Sequence, residues 1–384
     1  MQSLVAIAAS AAIFLGGLGP GGRLEIRDSS EQVEPAAQTS RRIRWPRKTI
    51  EVAFSTSMMT PASHIKPDSD VVGAARRALA RWSTLANINF IVVWSAAASV
   101  SPAENGDGIS LITIADTFEN EAFNSDTTAG RTRVFFDPET GTIAEADVSI
   151  NPRPRTDDGA EIQFSTDGTP GTYDLEATFT HEIGHLLGLD HSAVIGSTMQ
   201  GRQAFNGTFG LPALTERTLS EDDRQKIRSL YGPKQRLGRI EGKLADNRTL
   251  GALVPLANVN VWAEHVTTGK VIASDVSADD GSYKLEGLAP GQYRVLVSPR
   301  AEEGISNGAQ TFRSFEVSNL VTVKADNFSS LNYHLVPPQA SALSPKVIGL
   351  NSELSTVPLP LEPGKRVKIF LGGEGVDQVP GTSI

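Results

Sequence analysis

Cysteine is absent from the chain. That excludes a disulfide scaffold, a thiol nucleophile, an iron–sulfur cluster and cysteine-ligated zinc, so any metal site must draw on His, Asp, Glu or backbone oxygens. A surplus of positive charge is also missing. Lys and Arg number 35 against 44 Asp and Glu, a formal charge of −9. A general nucleic-acid binder carries a basic patch or stripe, so nucleic acid is not expected as a partner. No apolar run reaches the roughly 18 residues that a membrane helix needs, so no integral membrane span is expected. Aromatic residues are few, 6%, whereas 35 Gly and 22 Pro stand among 384 residues. That balance suits a loop-rich, β-rich protein. The length allows two or three domains with at least one sizeable core.

Leu4 to Leu15 is an apolar block followed by Gly16, Gly17 and Pro20. It has the length of a secretory h-region and is too short to span a bilayer. Residues 1–20 therefore read as a signal peptide and 21–40 as a linker or short pro-segment, with a secreted or periplasmic destination. A buried N-terminal helix or strand is the competing reading. Arg41 to Lys48 holds five basic residues in eight and reads either as an exposed cleavage site or as a solvated charge run.

Between 41 and 232 the pattern mixes strands and helices. Alternation predicts strands at Ile50–Phe54, Asn89–Trp94, Leu111–Ile114, Arg131–Phe136 and Ala146–Ile150. Helical spacing predicts helices over Asp68–Leu85, capped by Asp68 or Ser69, over Leu175–Leu187, capped by Asp174, and over Ser220–Leu230. Ser220 with Asp223 makes a capping-box-like pair. From 238 to 337 the texture becomes short alternating runs separated by turns such as Asp279-Asp280-Gly281 and Ala289-Pro290-Gly291. That spacing predicts an antiparallel sandwich, in which Asp280-Gly281 makes a hairpin and Tyr283 and Tyr293 pack as a cross-strand pair. Residues 338–384 read as a tail or an incomplete β module, with one strand at Arg366–Leu371.

One segment carries the chemistry. Three of the six histidines fall between Thr180 and Ser192, in Thr180-His181-Glu182-Ile183-Gly184-His185-Leu186-Leu187-Gly188-Leu189-Asp190-His191-Ser192. His181 and His185 are one helical turn apart and share a face. Gly188 can take a positive φ and turn the chain, which brings His191 to the same ion. Three neutral imidazoles leave a zinc ion its full charge and an open fourth position for water. Glu182 follows the first ligand and can take that water's proton.

The segment matches H-E-x-x-H-x-x-G-x-x-H, and the chain resembles the metzincin metallopeptidases. Ser192 and Met199 narrow the resemblance to the matrixin branch, in which a methionine in a tight turn lies beneath the metal; Met199 stands at the matching place. Leu219-Ser220-Glu221-Asp222-Asp223 through Leu230-Tyr231-Gly232 resembles the helix that closes matrixin catalytic domains, and Gly130–Phe136 the edge strand above their cleft. The resemblance implies that Arg131, Thr132, Arg133 and Val134 bind a substrate strand along that edge. The loop Gly201–Pro212, which shapes the main specificity pocket in the family, is poorly matched, and Gln200 stands where many matrixins have tyrosine. The thiolate latency of many matrixins has no cysteine here to carry it. Where animal matrixins place histidines for a second zinc, Arg133 and Ser149 stand. The expectation is one zinc per chain. Asp137, Glu139, Asp147 and Asp157-Asp158-Gly159 offer oxygens for the structural calcium the family often carries. Pro255–Val261, Ala278–Tyr283 and Leu288–Tyr293 resemble the carboxypeptidase-regulatory-like, or prealbumin-like, β-sandwich, and a spacer or stability role is expected for it.

The expected architecture is an α+β metzincin catalytic domain, a twisted mixed sheet with an active-site helix, followed by an all-β sandwich domain. The expected function is a secreted zinc-dependent endopeptidase acting on protein or peptide substrates. Two rivals remain: an adhesion or binding protein with an inert metal domain, and a dedicated processing enzyme with one substrate.

Overall fold

A computed structural model describes residues 5–9, 25–26 and 41–335, apart from 61, 125–127, 157–158, 193, 195, 202–203, 208–212, 214–216, 233–236, 247–252, 300–314, 318–319, 326 and 332. The tail beyond 335, including the strand expected at Arg366–Leu371, lies outside the described residues, as do Asp157, Asp158 and most of the loop from Gly201 to Pro212.

The chain opens with three short strands, β1 (Val5–Ala9), β2 (Glu25–Ile26) and β3 (Arg41–Arg42), of which β2 and β3 pair antiparallel. Next come β4 (Thr49–Ser55), a 3₁₀ turn at Thr56–Met59, and helix α1 (Val71–Leu85). They are followed by β5 (Asn89–Ser95), β6 (Leu111–Thr113), helix α2 (Phe118–Phe123), β7 (Gly130–Phe136) and β8 (Ile143–Ile150). Two short parallel strands, β9 (Gln163–Ser165) and β10 (Thr172–Asp174), lead into α3 (Leu175–Leu186), and α4 (Glu221–Tyr231) closes this half. The main sheet runs β1-β7-β8-β6-β4-β5. Strands β5, β4, β6 and β8 are parallel neighbours, whereas β7 is antiparallel to β8. Without β1, the strand β7 would be an edge. The chain's own Val5–Ala9 lies antiparallel along it, Val5 opposite Phe136 and Ala9 opposite Thr132.

Sequence periodicity explains most of these elements. Helix α1 buries Val71, Ala74, Ala75, Ala78, Leu79 and Trp82 on one face. Its small residues allow close approach to α3, and Trp82 Nε1 donates to the Thr180 carbonyl at 2.8 Å across that contact. The N-cap is Asp70, whose Oδ1 accepts from Gly73 N at 3.0 Å, and neither Asp68 nor Ser69. Asp68 instead has φ +68°, a left-handed turn that Asp tolerates better than most residues. Asp174 caps α3 as expected, and Ser220 with Asp223 completes a true capping box on α4.

The second half is built from β11 (Gly238–Asp246), β12 (Val254–Pro255), β13 (Val259–His265), β14 (Val271–Val276), β15 (Ser282–Leu288), β16 (Gly291–Pro299), β17 (Phe315–Glu316), β18 (Val321–Val323), β19 (Phe328–Ser330) and β20 (Tyr333–Leu335). One sheet centres on β11 and β15, the other on β13 and β16, and side chains of both meet in one core around Ile240, Leu244, Val261, Leu285 and Val295. Two expectations need correction here. Asp280-Gly281 does make a tight turn, with Gly281 at φ +76°. The strands it joins enter opposite sheets, because β14 pairs with β13 and β15 with β11. For the same reason Tyr283 and Tyr293 are not cross-strand neighbours. Each fills the shared core; the Tyr293 hydroxyl donates locally to the Ala289 carbonyl, and that of Tyr283 to the Leu331 carbonyl, 48 residues on.

The basic run from 41 to 48 is only partly solvated. Ile43 is core, Arg42 pairs with Glu286, and Trp45 Nε1 donates to the Leu186 carbonyl at 2.9 Å. Arg44 and residues 46–48 are exposed.

Candidate metal centre and cleft

Helix α3 places His181 and His185 on one face, as the spacing required. Their rings lie 4.8 Å apart between centroids, and the Nε2 atoms approach to 3.1 Å. Gly188 ends the helix at φ +87° with its Cα pressed toward the Ile43 carbonyl, where a side chain would collide. The chain turns there and brings the His191 ring within 4.9 Å of His185 and 5.2 Å of His181. One ligand atom from each histidine lies within 4.8 Å of the others, and among the described residues this is the one His, Asp or Glu cluster of that kind.

The tautomers follow from the second nitrogens. His181 Nδ1 lies 2.7 Å from the Thr198 carbonyl and His185 Nδ1 2.8 Å from the Leu189 carbonyl. A carbonyl only accepts, so each Nδ1 carries the hydrogen and each Nε2 presents a lone pair. Two lone pairs facing one another at 3.1 Å repel unless a cation lies between them. The donor set therefore fits a zinc ion held by nitrogen. Burial pushes His185 well below its ordinary value, and the neighbouring His181 and His191 add to this, so the ring stays neutral and able to bind metal.

Glu182 sits on the next position of α3 and is 3% exposed. Burial raises its carboxyl; His181, Thr132 and Arg131 pull the other way. Its Oε2 accepts from the Thr132 hydroxyl at 2.6 Å, and the same hydroxyl contacts the Glu182 carbonyl at 3.0 Å. Sequence reasoning assigned Thr132 to the edge strand but missed this bond. Nothing in local spacing links residues 50 positions apart. Gly130 makes room: a Cβ there would stand 3.1 Å from Glu182 Cγ.

The four expected edge residues divide by pleat. Thr132 and Val134 are buried and face inward toward α3, whereas Arg131 and Arg133 point the other way. Arg131 and Arg133 stack over the Phe123 ring of α2, 5.4 and 4.6 Å from its centroid, and donate to the carbonyls of Phe123 and Ser101. Helix α2 was not expected from sequence; its six residues are too few to show a period. Ser149 is buried and bonded to Asn124 Nδ2 at 3.0 Å. Asp137 accepts from the amides of Glu139 and Thr140, and Asp147 from those of Ser101 and Leu111. Asp137 thus serves a turn, whereas Asp147, on β8, ties in residue 101 and the start of β6.

Met199 is fully buried beneath the histidine helix. Its Sδ packs against Gly184, where any side chain would overlap it. Ser192 N donates to the Met199 carbonyl at 2.6 Å, and Asp223 accepts from Ser197 Oγ, Thr198 N and Met199 N. These bonds fasten the segment around Met199 to α4.

Residues 44–232 match the family model described as matrixin. Residues 44–232 are a matrixin domain. The chain is 29% identical over 207 residues to Metalloendoproteinase 1-MMP of Arabidopsis thaliana, covering 50% of this chain and 46% of that one. It is 30% identical over 200 residues to Metalloendoproteinase 4-MMP of the same plant, covering 50% and 48%. To an interstitial collagenase of Equus caballus it is 36% identical over 104 residues, 26% of this chain and 19% of that one. The chain thus spans about half the length, or less, of the curated relatives it matches. The matrixin domain and these relatives support a zinc metalloendopeptidase, and the three histidines are consistent with zinc. No helix among the described residues is long and apolar enough to cross a membrane.

Proposed function

We propose that this protein is a secreted zinc-dependent endopeptidase that cuts extended peptide segments, with His181, His185 and His191 holding the ion and Glu182 as the general base. The observation that carries the reading is the convergence of two hydrogen-free Nε2 atoms at 3.1 Å, on the helix that also presents Glu182. When bound there, zinc supplies an acidified water and an electrophile for the scissile carbonyl. Glu182 accepts the water's proton and passes it to the departing amine. Thr132 holds the carboxylate toward the cleft through its hydroxyl, 2.6 Å away. Met199 supports the histidine helix from below.

The substrate strand lies antiparallel along β7, gaining backbone hydrogen bonds there. Support comes from Val5–Ala9, which occupies that edge in the antiparallel sense. Thr132 and Val134 offer no side chain to this contact, since theirs face the core. Secretion rests on the apolar block from Leu4 to Leu15. The C-terminal domain is read as a carboxypeptidase-regulatory-like sandwich.

The test is a cleavage profile on a denatured-proteome peptide library, with and without a zinc chelator. Chelator-sensitive cleavage at many sites supports an endopeptidase. Cleavage confined to one protein points to a dedicated processing enzyme, and no cleavage by the zinc-loaded protein would leave the inert binding protein standing.

A further inference from the structure

The sandwich touches the metal domain at a particular place. Strand β14 packs against α4, and Val194, from the loop between His191 and Met199, sits in an apolar cluster with Trp262 and Val271. Beside this cluster lies Asp222, on the first turn of α4 and fully buried. Its two oxygens face different domains. Oδ2 accepts from Ser192 Oγ at 2.6 Å and Lys226 Nζ at 2.5 Å. Oδ1 accepts from Ser274 N at 2.8 Å and Ser274 Oγ at 3.0 Å, both from the sandwich. Lys226 Nζ closes the ring by donating to Ser274 Oγ at 3.1 Å.

We propose that the β-sandwich is a working part of the metal centre: Ser274 fixes Asp222, and Asp222 fixes Ser192 and with it the loop that carries His191 and Met199. A buried carboxylate oxygen without donors is costly, so the ring holds together or fails together. Ser192 is the residue after His191. Its hydroxyl also accepts from Val194 N at 3.2 Å, and its amide holds the Met199 carbonyl. Release of Asp222 therefore loosens the loop at both His191 and Met199. Asp223 braces the same loop from the matrixin side, so the sandwich supplies the second of two supports. The role is positioning, since Ser274 touches neither ligand nor substrate.

This inference uses the zinc site of the proposed function, but its test does not depend on peptidase activity. The full-length chain is loaded with zinc, and metal loss to excess chelator is timed well below the unfolding midpoint for the parent, Ser192→Ala, Ser274→Ala, the double variant and Tyr283→Phe. Tyr283→Phe removes a bond inside the sandwich, to the Leu331 carbonyl, that shares no partner with the ring. Ser274→Ala should release zinc about three- to tenfold faster, below the roughly 10–100-fold typical of groups that bond a ligand directly. The double variant should be less than additive, and Tyr283→Phe should match the parent. Ser274→Ala releasing zinc within twofold of the parent, or Tyr283→Phe as fast as Ser274→Ala, would overturn the proposal. If Ser274→Ala loses zinc faster while even the parent cleaves no peptide, the positioning role stands and the peptidase reading falls.

Discussion

The two halves of the molecule bury polar groups differently. The matrixin domain hides whole carboxylates, among them Asp174, Glu176, Glu182, Asp222 and Asp223, each with named partners. Arg77, Arg81 and Arg217 converge on Glu176, and Arg217 also pairs with Asp174 at 2.7 Å, at the start of the histidine helix. The sandwich core is built from Val, Leu, Ile, Ala and Tyr. Several of its buried polar side chains, Ser274, Asp275 and Ser277, cluster on and just after β14, the strand that faces α4. A buried charge needs dedicated donors to offset desolvation, so it fixes geometry where an apolar contact would tolerate shifts. Fixed geometry is concentrated around the histidines and at the seam that reaches their loop.

The sharpest way to test this contrast is Glu182→Gln, which keeps shape and ligands but removes the proton acceptor. The expected result is a fall in kcat on the order of 10² to 10⁴, with bound zinc near one per chain by elemental analysis. Near-normal turnover would refute the assigned role. Next comes one substitution made in each half. Gly184→Ala drives a methyl into Met199 Sδ and toward Trp82, and should lower stability by roughly 1–3 kcal/mol in denaturant titration. Gly291→Ala meets the tip of His265 at 3.2 Å and Tyr293 at an ordinary 3.7 Å, and should stay within about 1 kcal/mol. Equal effects at the two sites would erase the contrast.

Thr132→Val preserves volume and removes the hydroxyl that Glu182 accepts. We expect kcat to fall about tenfold, one charge-assisted hydrogen bond's worth, with KM little changed. A change in KM alone would return Thr132 to a mere edge residue. The smallest effect concerns Asp147. Burial pushes its carboxyl up to about 7 from an ordinary 3.8, against the donating amides of Ser101 and Leu111 and beside Glu145 and Asp107. The folded state then keeps a proton that the unfolded chain releases, so ionisation costs stability. Stability from this group is full below about pH 4, declines as pH rises toward 7, and levels off above it. Thermal unfolding of the parent and Asp147→Asn across pH 4 to 8 should show that slope flattened in the variant. Parallel curves would contradict the raised value.

Much of the site was legible in the order of residues, because its determinants are local. Histidines four apart share a helix face through 3.6-residue periodicity, a glycine three positions on allows the reversal, and Asp174 caps the helix that holds them. The strands β4 to β8, β11 and β13 to β16 were legible through alternation; the short strands β1 to β3, β9, β10, β12 and β17 to β20 were not, having too few residues to show a period. Less local matters were not. Whether Asp68 or Asp70 caps α1 depended on which backbone entered the left-handed region. The opposite placement of Tyr283 and Tyr293 depended on which sheet each strand joined.

By itself, then, the sequence determined the longer elements, the zinc-binding pattern and the division into two textures, each encoded within a few residues of chain. Only the tertiary structure decided what those groups lean on. Thr132 reaches Glu182 across 50 residues and Ser274 reaches Asp222 across 52. Neither separation has a period that a linear reading could detect. Such contacts exist because two buried surfaces meet, and burial gives a hydroxyl and a carboxylate no water to turn to in place of each other.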